Sequence, residues 1–322
     1  MWIYRGSLEK WLGMRIRSER PGDPLEALLS RYPVYKYTYT PGALLIREHV
    51  DLFKRAYEDK AGVIRVTLDL GLSLSKVFVG GCGVYIEGLE ICLEDLDRSV
   101  EDGFIYKILG GRLARLDLYG DGKYYKIKPV SIDRAPTIEI NGIQMHRTVG
   151  IDSWRDSQTK VSALGRVRGL RVLEIGTGLG YTASNLIIKG AGRVITIERD
   201  RNVLDIATMN PWSRMLGDSR IFIVVGDALD ILPSLCDGCF DKILHDPPRI
   251  SVAEHLYSLD FYRELYRVLR GGGFVFHYTG EPGKHSNVSY LKGVKNRLSM
   301  AGFYRLEWVD RAKGFLAFKG RD

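Results

Sequence analysis

An open α/β sheet, mainly parallel, is the fold class predicted for residues 151–322, and three observations predict it. Residues 172–183 read VLEIGTGLGYTA, an apolar strand that runs straight into Gly176, Gly178 and Gly180. The next apolar strand, Val194-Ile195-Thr196-Ile197, is closed by an acid, Glu198. Three further units follow in order: Ile221–Val225 leads into Gly226-Asp227-Ala228, Phe240–Leu244 into Asp246-Pro247-Pro248-Arg249, and Leu269-Arg270-Gly271-Gly272-Gly273 into Phe274–Phe276.

Each unit has a physical reading. Glycines let a turn backbone approach a ligand closely, and a carboxylate at the tip of the second strand can accept both hydroxyl hydrogens of a ribose. Together they imply a nucleotide cofactor. A dinucleotide-binding chain would not carry the three later units in that order. From end to end, residues 151–322 resemble the class I S-adenosylmethionine-dependent methyltransferases. The resemblance implies a Rossmann-like sheet of seven strands with helices on both faces. It also implies S-adenosyl-L-methionine as cofactor, with Glu174 and the turn Gly176, Thr177, Gly178, Gly180 and Tyr181 around its methionine part. Glu198, followed by Arg199, would take the ribose hydroxyls, Asp227 the adenine amino group, and Ala228 would offer its NH to the ring. Two simpler roles compete: Glu198 as a solvated strand-end charge, and Asp227 as a helix N-cap.

Asp246-Pro247-Pro248-Arg249 follows the fourth strand and so faces the cofactor methyl. The tetrad is similar to the Asp/Asn/Ser-Pro-Pro-aromatic motif of methyltransferases that act on amino nitrogens of bases or glutamine side chains. A ring-conjugated amine is a poor nucleophile. Accepting its hydrogens on the Asp246 carboxylate and the Pro247 carbonyl would align its lone pair. Arg249 departs from the aromatic residue the motif prefers. Stacking on a base would then fall to the Arg249 guanidinium, to Tyr257 or Phe261, or to Tyr278. His277 and His245 are further substrate candidates, against the bland reading of structural histidines.

The +8 net charge divides as +2 over residues 1–150 and +6 over the rest, which suits a polyanion such as ribosomal or transfer RNA, although excess charge also serves solubility. The whole chain, including NGIQMHR, HDPPR and NPWSR, resembles a group of archaeal methyltransferases, and the resemblance implies RNA modification, with cytidine N4 of ribosomal RNA as the sharpest target. Only Gln144 and Gln158 are glutamines, a scarcity that points to a thermophile. No stretch approaches the roughly 18 apolar residues of a membrane span and the start lacks a signal-type apolar run, so a cytoplasmic location is expected. Cys82, Cys92, Cys236 and Cys239 are too few for a disulfide scaffold; Cys236-Asp237-Gly238-Cys239 lacks a second ligand pair for zinc, leaving a disulfide there if the source is a hyperthermophile. No metal is expected; a homo-oligomer remains open.

Residues 1–148 are expected to form a separate α+β domain for substrate recognition or dimerisation, ahead of the catalytic domain 149–322. Helices are expected from Asp23-Pro24 and over 43–60, then strands over 63–72, 76–79, 84–91, 105–109, 112–118, 124–129 and 137–143, split by Gly80-Gly81, Gly110-Gly111 and Gly120-Asp121-Gly122. Tyr35, Tyr37 and Tyr39 alternate onto one strand face, either as a base-stacking platform or as core packing. Asp152, Trp154 and Arg155 precede a helix expected at 158–166, and either close the site over substrate or form a hinge capped by Asp156. Trp212 covers the adenine or packs internally. Two other classes stay open: an aminopropyltransferase of the spermidine synthase type, which shares the fold but usually carries a Gly-Gly-Gly-Asp-Gly-type first turn, and a non-catalytic RNA-binding module.

Overall fold

The computed structural model describes residues 28, 30–280 and 287–321. Strands β1 (Val34–Tyr35) and β2 (Leu44–Leu45) precede helix α1 (Arg47–Glu58). An antiparallel meander follows, β3 (Val63–Val66), β4 (Ser75–Gly80), β5 (Gly83–Ile86) and β6 (Leu89–Cys92), then α2 (Leu93–Ser99). Strands β7 (Tyr106–Leu109) and β8 (Arg112–Arg115) join β2, while β9 (Asp117–Gly120), β10 (Lys123–Lys128), β11 (Thr137–Ile140) and β12 (Ile143–Gln144) make a fourth sheet. The remaining chain alternates: α3 (Ser153–Ala163), β13 (Arg171–Ile175), α4 (Tyr181–Ile188), β14 (Arg193–Glu198), α5 (Arg201–Ala207), β15 (Ile221–Val225), α6 (Ala228–Ile231), β16 (Phe240–His245), α7 (Leu259–Val268), β17 (Leu269–Tyr278), α8 (Asn287–Met300), β18 (Arg305–Val309) and β19 (Gly314–Phe318).

The main sheet has the order β1-β15-β14-β13-β16-β17-β19-β18. Strands β13 to β17 are parallel neighbours in this order, and the β18–β19 hairpin closes the far edge antiparallel. Strands covered on both faces need apolar residues at consecutive positions. Val172-Leu173, Val194-Ile195 and Ile243-Leu244 meet that need, each residue at most 1% exposed. Phe261, Leu265, Val294 and Leu298 fill one side of the sheet. On the other, Leu186 and Val161 share a core with Tyr125, Ile127 and Ile138 of the fourth sheet, so one apolar cluster spans residues before and after position 148. A smaller core around Phe53, Val77, Val84 and Leu96 supports the meander.

Several expectations need correction. The sheet holds eight strands, not seven, because Val34 and Tyr35 pair antiparallel with Val224 and Ile223. The run 84–91 is a hairpin that turns at Glu87-Gly88, and 137–143 turns at Asn141-Gly142; all four residues have positive φ, as a two-residue hairpin turn requires. Leu44 and Leu45 are strand, so the helix expected over 43–60 starts at Arg47. The 158–166 helix begins at Ser153, with Asp152, not Asp156, accepting from the Arg155 NH as N-cap. The tyrosine stripe packs inward: the Tyr35 hydroxyl donates 2.6 Å to Asp205 Oδ1, that of Tyr37 3.1 Å to the Ala207 carbonyl, and Tyr39 lies against the core. Both cysteine pairs are joined, Cys82–Cys92 as well as Cys236–Cys239. The helix expected from Asp23-Pro24 lies mostly outside the described residues. Among the described residues no helix is long and apolar enough to cross a membrane.

Candidate active site

The carboxyl ends of β13, β14, β15 and β16 lie side by side and are laced by backbone bonds. Gly176 N donates to Ile197 O at 3.0 Å, Gly226 N to Glu198 O at 2.9 Å, and Asp246 N to Ile175 O at 3.0 Å. Adjacent strand ends thereby present Glu174, the glycine turn, Glu198, Asp227 and Asp246 along one edge.

The glycines of the turn serve different ends. All three have positive φ. A Cβ on Gly176 would stand 2.5 Å from the Asp246 carbonyl, and one on Gly180 would strike Leu216 at 2.4 Å, so both are glycine because protein is packed against them. At Gly178 the nearest atom would be His146 Nε2, 4.0 Å away. That space is open to a ligand. His146 is half-buried, and burial pushes its imidazole down to about 4, leaving it neutral.

Around the turn the acids are held in different ways. Glu174 is fully buried; Thr182 Oγ1 donates to its Oε1, while Oε2 has no hydrogen-bond partner among the described residues. Burial pushes its carboxyl up to about 8, against the Thr182 and Thr196 hydroxyls that pull it down. Glu198 accepts from Gly178 N at 2.9 Å and from Asp200 N at 3.0 Å, which fixes the carboxylate plane beside the turn. Burial raises it, and those NH groups oppose the rise. Asp227 is the N-cap of α6, accepting from Leu229 N, and its other oxygen pairs with Arg199 at 3.3 Å and His255 at 3.5 Å. The capping role is therefore present, with the second oxygen turned toward Arg199 and His255. Ala228 is buried behind it. Thr177 turns its hydroxyl to Thr196 Oγ1, 2.6 Å away. Tyr181 points away from the edge: its buried hydroxyl donates to Pro136 O and accepts from Asn210 Nδ2, so only its backbone belongs to the turn.

Past the end of β16, Asp246 keeps 18% of its side chain exposed and Oδ2 accepts from Lys160 Nζ at 2.7 Å. Pro247 is buried, while Pro248 and Arg249 are exposed. The Tyr257 hydroxyl donates to the Pro248 carbonyl at 2.8 Å, fixing the loop from below. Among the substrate candidates, Tyr278 lies at the edge, its ring 3.8 Å below the Lys160 ammonium. Tyr257 and His277 do not reach the edge. His277 stacks 4.4 Å from His245 and bonds the Tyr262 hydroxyl, both histidines are fully buried, and burial drives both imidazoles well down. Trp154 packs on Tyr181 and Trp212, whose indole donates to Leu70 O; Arg155 is 70% exposed beside Asp152.

Lys160 carries no site signal in the sequence. Its spacing of four from Asp156 looks like a surface helix pair, yet both side chains are under 5% exposed.

A family model described as "Methyltransferase domain" matches residues 173–277. "Uncharacterized protein MJ1233" of Methanocaldococcus jannaschii is 44% identical over 223 residues, covering 69% of this chain and 76% of its own length. Catechol O-methyltransferase of Mycobacterium tuberculosis is 35% identical over 120 residues, 34% of this chain and 54% of that protein. A spermidine synthase solved with the transition-state analogue AdoDATO has a TM-score of 0.53 at 20% identity, covering 68% of this chain and 76% of that one, a likeness in fold.

Proposed function

We propose that this chain, which belongs to the same family as the Methanocaldococcus jannaschii relative and is an S-adenosylmethionine-dependent methyltransferase, methylates an exocyclic amino nitrogen of RNA, with cytidine N4 in ribosomal RNA as the leading target. The observation that carries the reading is the position of Asp246-Pro247-Pro248. The motif leaves β16 directly beside the glycine turn, and its carboxylate is 18% exposed while bound to Lys160.

The residues fit the cofactor. Among the described residues Glu174 Oε2 is a buried acceptor without a partner, suited to an ammonium, and Gly178 leaves open the space a side chain would fill. Glu198 is oriented by two NH groups to accept ribose hydroxyls, and the second Asp227 oxygen suits an adenine amino group. Bound S-adenosylmethionine supplies an electrophilic methyl group. The protein's share is positioning. Asp246 accepts a hydrogen of the acceptor amine, turns its lone pair toward the edge and opposes the positive charge that grows on nitrogen, an interaction stronger in the transition state than before it.

The exposed cations Arg155, Arg214 and Arg249 serve phosphate contact in this reading, together with Lys284, which lies outside the described residues. Residues 1–148 contribute recognition of the RNA or dimerisation, and 149–322 the transfer. Nucleoside mass spectrometry of RNA from a strain lacking the gene tests the whole. Loss of one methylated amino nucleoside, restored by the purified enzyme, is expected. Unchanged RNA together with turnover of putrescine-like amines would replace the reading with aminopropyl transfer.

A further inference from the structure

Behind Asp246 runs a chain of charges that the motif alone does not account for. Lys160 Nζ sits 2.7 Å from Asp246 Oδ2 and 3.1 Å from Asp156 Oδ2, and Arg147 Nη2 lies 2.8 Å from Asp156 Oδ1 and 3.2 Å from the Arg311 carbonyl. Two cations meet two carboxylates. Exposure is 18% at Asp246 and 19% at Arg147 but only 4% at Lys160 and 1% at Asp156, so the middle of the set is buried and Asp246 and Arg147 are its two surface ends. The groups come from four places: Arg147 from the segment after β12, Asp156 and Lys160 from α3, Asp246 from the end of β16, and Tyr278, under the ammonium, from the end of β17.

Such a set is a poor device for stability alone. Desolvating several charges costs about as much as their attraction returns, and apolar replacements of similar volume are often as stable or more so. What the set does provide is direction. A carboxylate on a short side chain after a strand turns about χ2 freely, and the buried lysine, held by a second carboxylate and a ring face, removes that freedom. Burial alone would lower the Lys160 ammonium; Asp246 and Asp156 outweigh it and hold it above its ordinary value. In return, Lys160 opposes the rise that burial imposes on Asp246.

We propose that Lys160, anchored by Asp156 and the Tyr278 ring, is the positioning residue of the transfer: it fixes the Asp246 carboxylate so that one oxygen is committed to the lysine and the other is presented to the acceptor amine. The inference rests on the amino-methylation reading of Asp246. It adds a residue that acts through that carboxylate without touching the acceptor.

A double-mutant cycle tests it, with methyl-labelled S-adenosylmethionine and total RNA from the deletion strain. Lys160→Met should lower kcat by roughly tenfold to a hundredfold, the range expected when a reacting group is misplaced by about 1 Å, with cofactor affinity by calorimetry within about threefold. In an Asp246→Asn background the same change should cost under about threefold, because the group it positions is already altered. The acidic limb of kcat/KM should move to higher pH in Lys160→Met, and the ¹³C carboxyl titration of Asp246 in the free protein should move the same way. His146, Glu174 and Tyr257 face this set, and Asp156, Tyr278 and Arg147 belong to it, so the carboxyl titration is assigned to Asp246 itself. If Lys160→Met fails to bind cofactor, Asp156→Asn, which loosens the anchor while retaining the lysine, replaces it and should show the same dependence on Asp246. Equal losses in both backgrounds would make Lys160 a structural residue and overturn the inference while leaving Asp246 untouched. Wild-type enzyme that transfers nothing to this RNA would sink the functional reading, and the carboxyl titration would still decide whether lysine controls Asp246.

Discussion

Replacing Glu174 with glutamine separates the needs of the cofactor from those of the fold. The folded protein holds the Glu174 proton up to about 8, whereas an ordinary carboxyl releases it near 4.5. Its contribution to stability is therefore full below about 4.5 and falls as pH rises toward 8. At 1.36 kcal/mol per pH unit the loss above 8 is on the order of 5 kcal/mol. Glutamine keeps the shape and never ionises. Wild type and Glu174→Gln should unfold at similar temperatures at pH 5, and by pH 9 the variant should be the more stable by several kcal/mol. With an unfolding entropy of about 2.1 cal/mol/K per residue, that corresponds to roughly 5–8 °C for a chain of this length. The same variant should bind S-adenosylmethionine at least tenfold more weakly at pH 9, where the wild-type carboxyl is ionised and glutamine lacks a charged acceptor worth about 1.5–3 kcal/mol. Calorimetric melts of the free proteins across pH 5–9, with binding isotherms at pH 9, measure both. Parallel stability curves would refute the buried, proton-holding Glu174, and unchanged affinity would remove it from the cofactor site.

Three other outcomes follow from the same edge. Asp246→Ala should retain cofactor binding and lose about two orders of magnitude in transfer rate, as expected for a positioned catalytic group; wild-type rates on RNA would reduce the proline pair to a strand terminator. Gly178→Ala should fold, because the space beyond its Cα is open, with a cost near 1–2 kcal/mol for the left-handed backbone, and should weaken cofactor binding in calorimetry, whereas Gly180→Ala meets Leu216 at 2.4 Å and should show its main effect in melting temperature. RNA affinity measured by fluorescence anisotropy should fall linearly in log–log form as salt rises; a flat response would remove the phosphate role given to Arg155, Arg214 and Arg249.

The catalytic sheet is legible in the sequence because parallel strands buried on both faces must be apolar throughout, and because glycines that need a left-handed backbone admit few substitutes. Glu198 and Asp246 stand where their strands end, so their placement follows from the strands. β1 is not legible. Two residues carry no period, and Val34 and Tyr35 become a strand only because β15 offers them an open edge. For the same reason the tyrosine stripe was undecided: alternation tells which residues share a face, and only tertiary packing on α5 tells that the face is covered. The Asn141-Gly142 turn carried a sequence signal for a hairpin, hidden in an apolar run that continues on both sides. Lys160 had no usable signal. Its partner Asp246 is 86 residues away, and a helical Asp-Lys pair is most often a solvated one.

These distinctions bear on why the glycine turn and the proline motif occur together. Gly176 cannot carry a Cβ because the Asp246 carbonyl occupies that position, and the Asp246 NH is bonded to the carbonyl of Ile175, the residue that begins the turn. The backbone that would hold the cofactor and the backbone that aims the acceptor are thus in direct contact across β13 and β16. Two reacting groups carried on such a joint keep their separation when either loop moves, and separation is the variable to which group transfer is most sensitive. Lys160 adds the remaining coordinate, the rotation of the carboxylate about its own bond. A side chain at Gly176 would therefore push the motif away from the turn, and its effect on rate should exceed its effect on the affinity of either ligand measured alone.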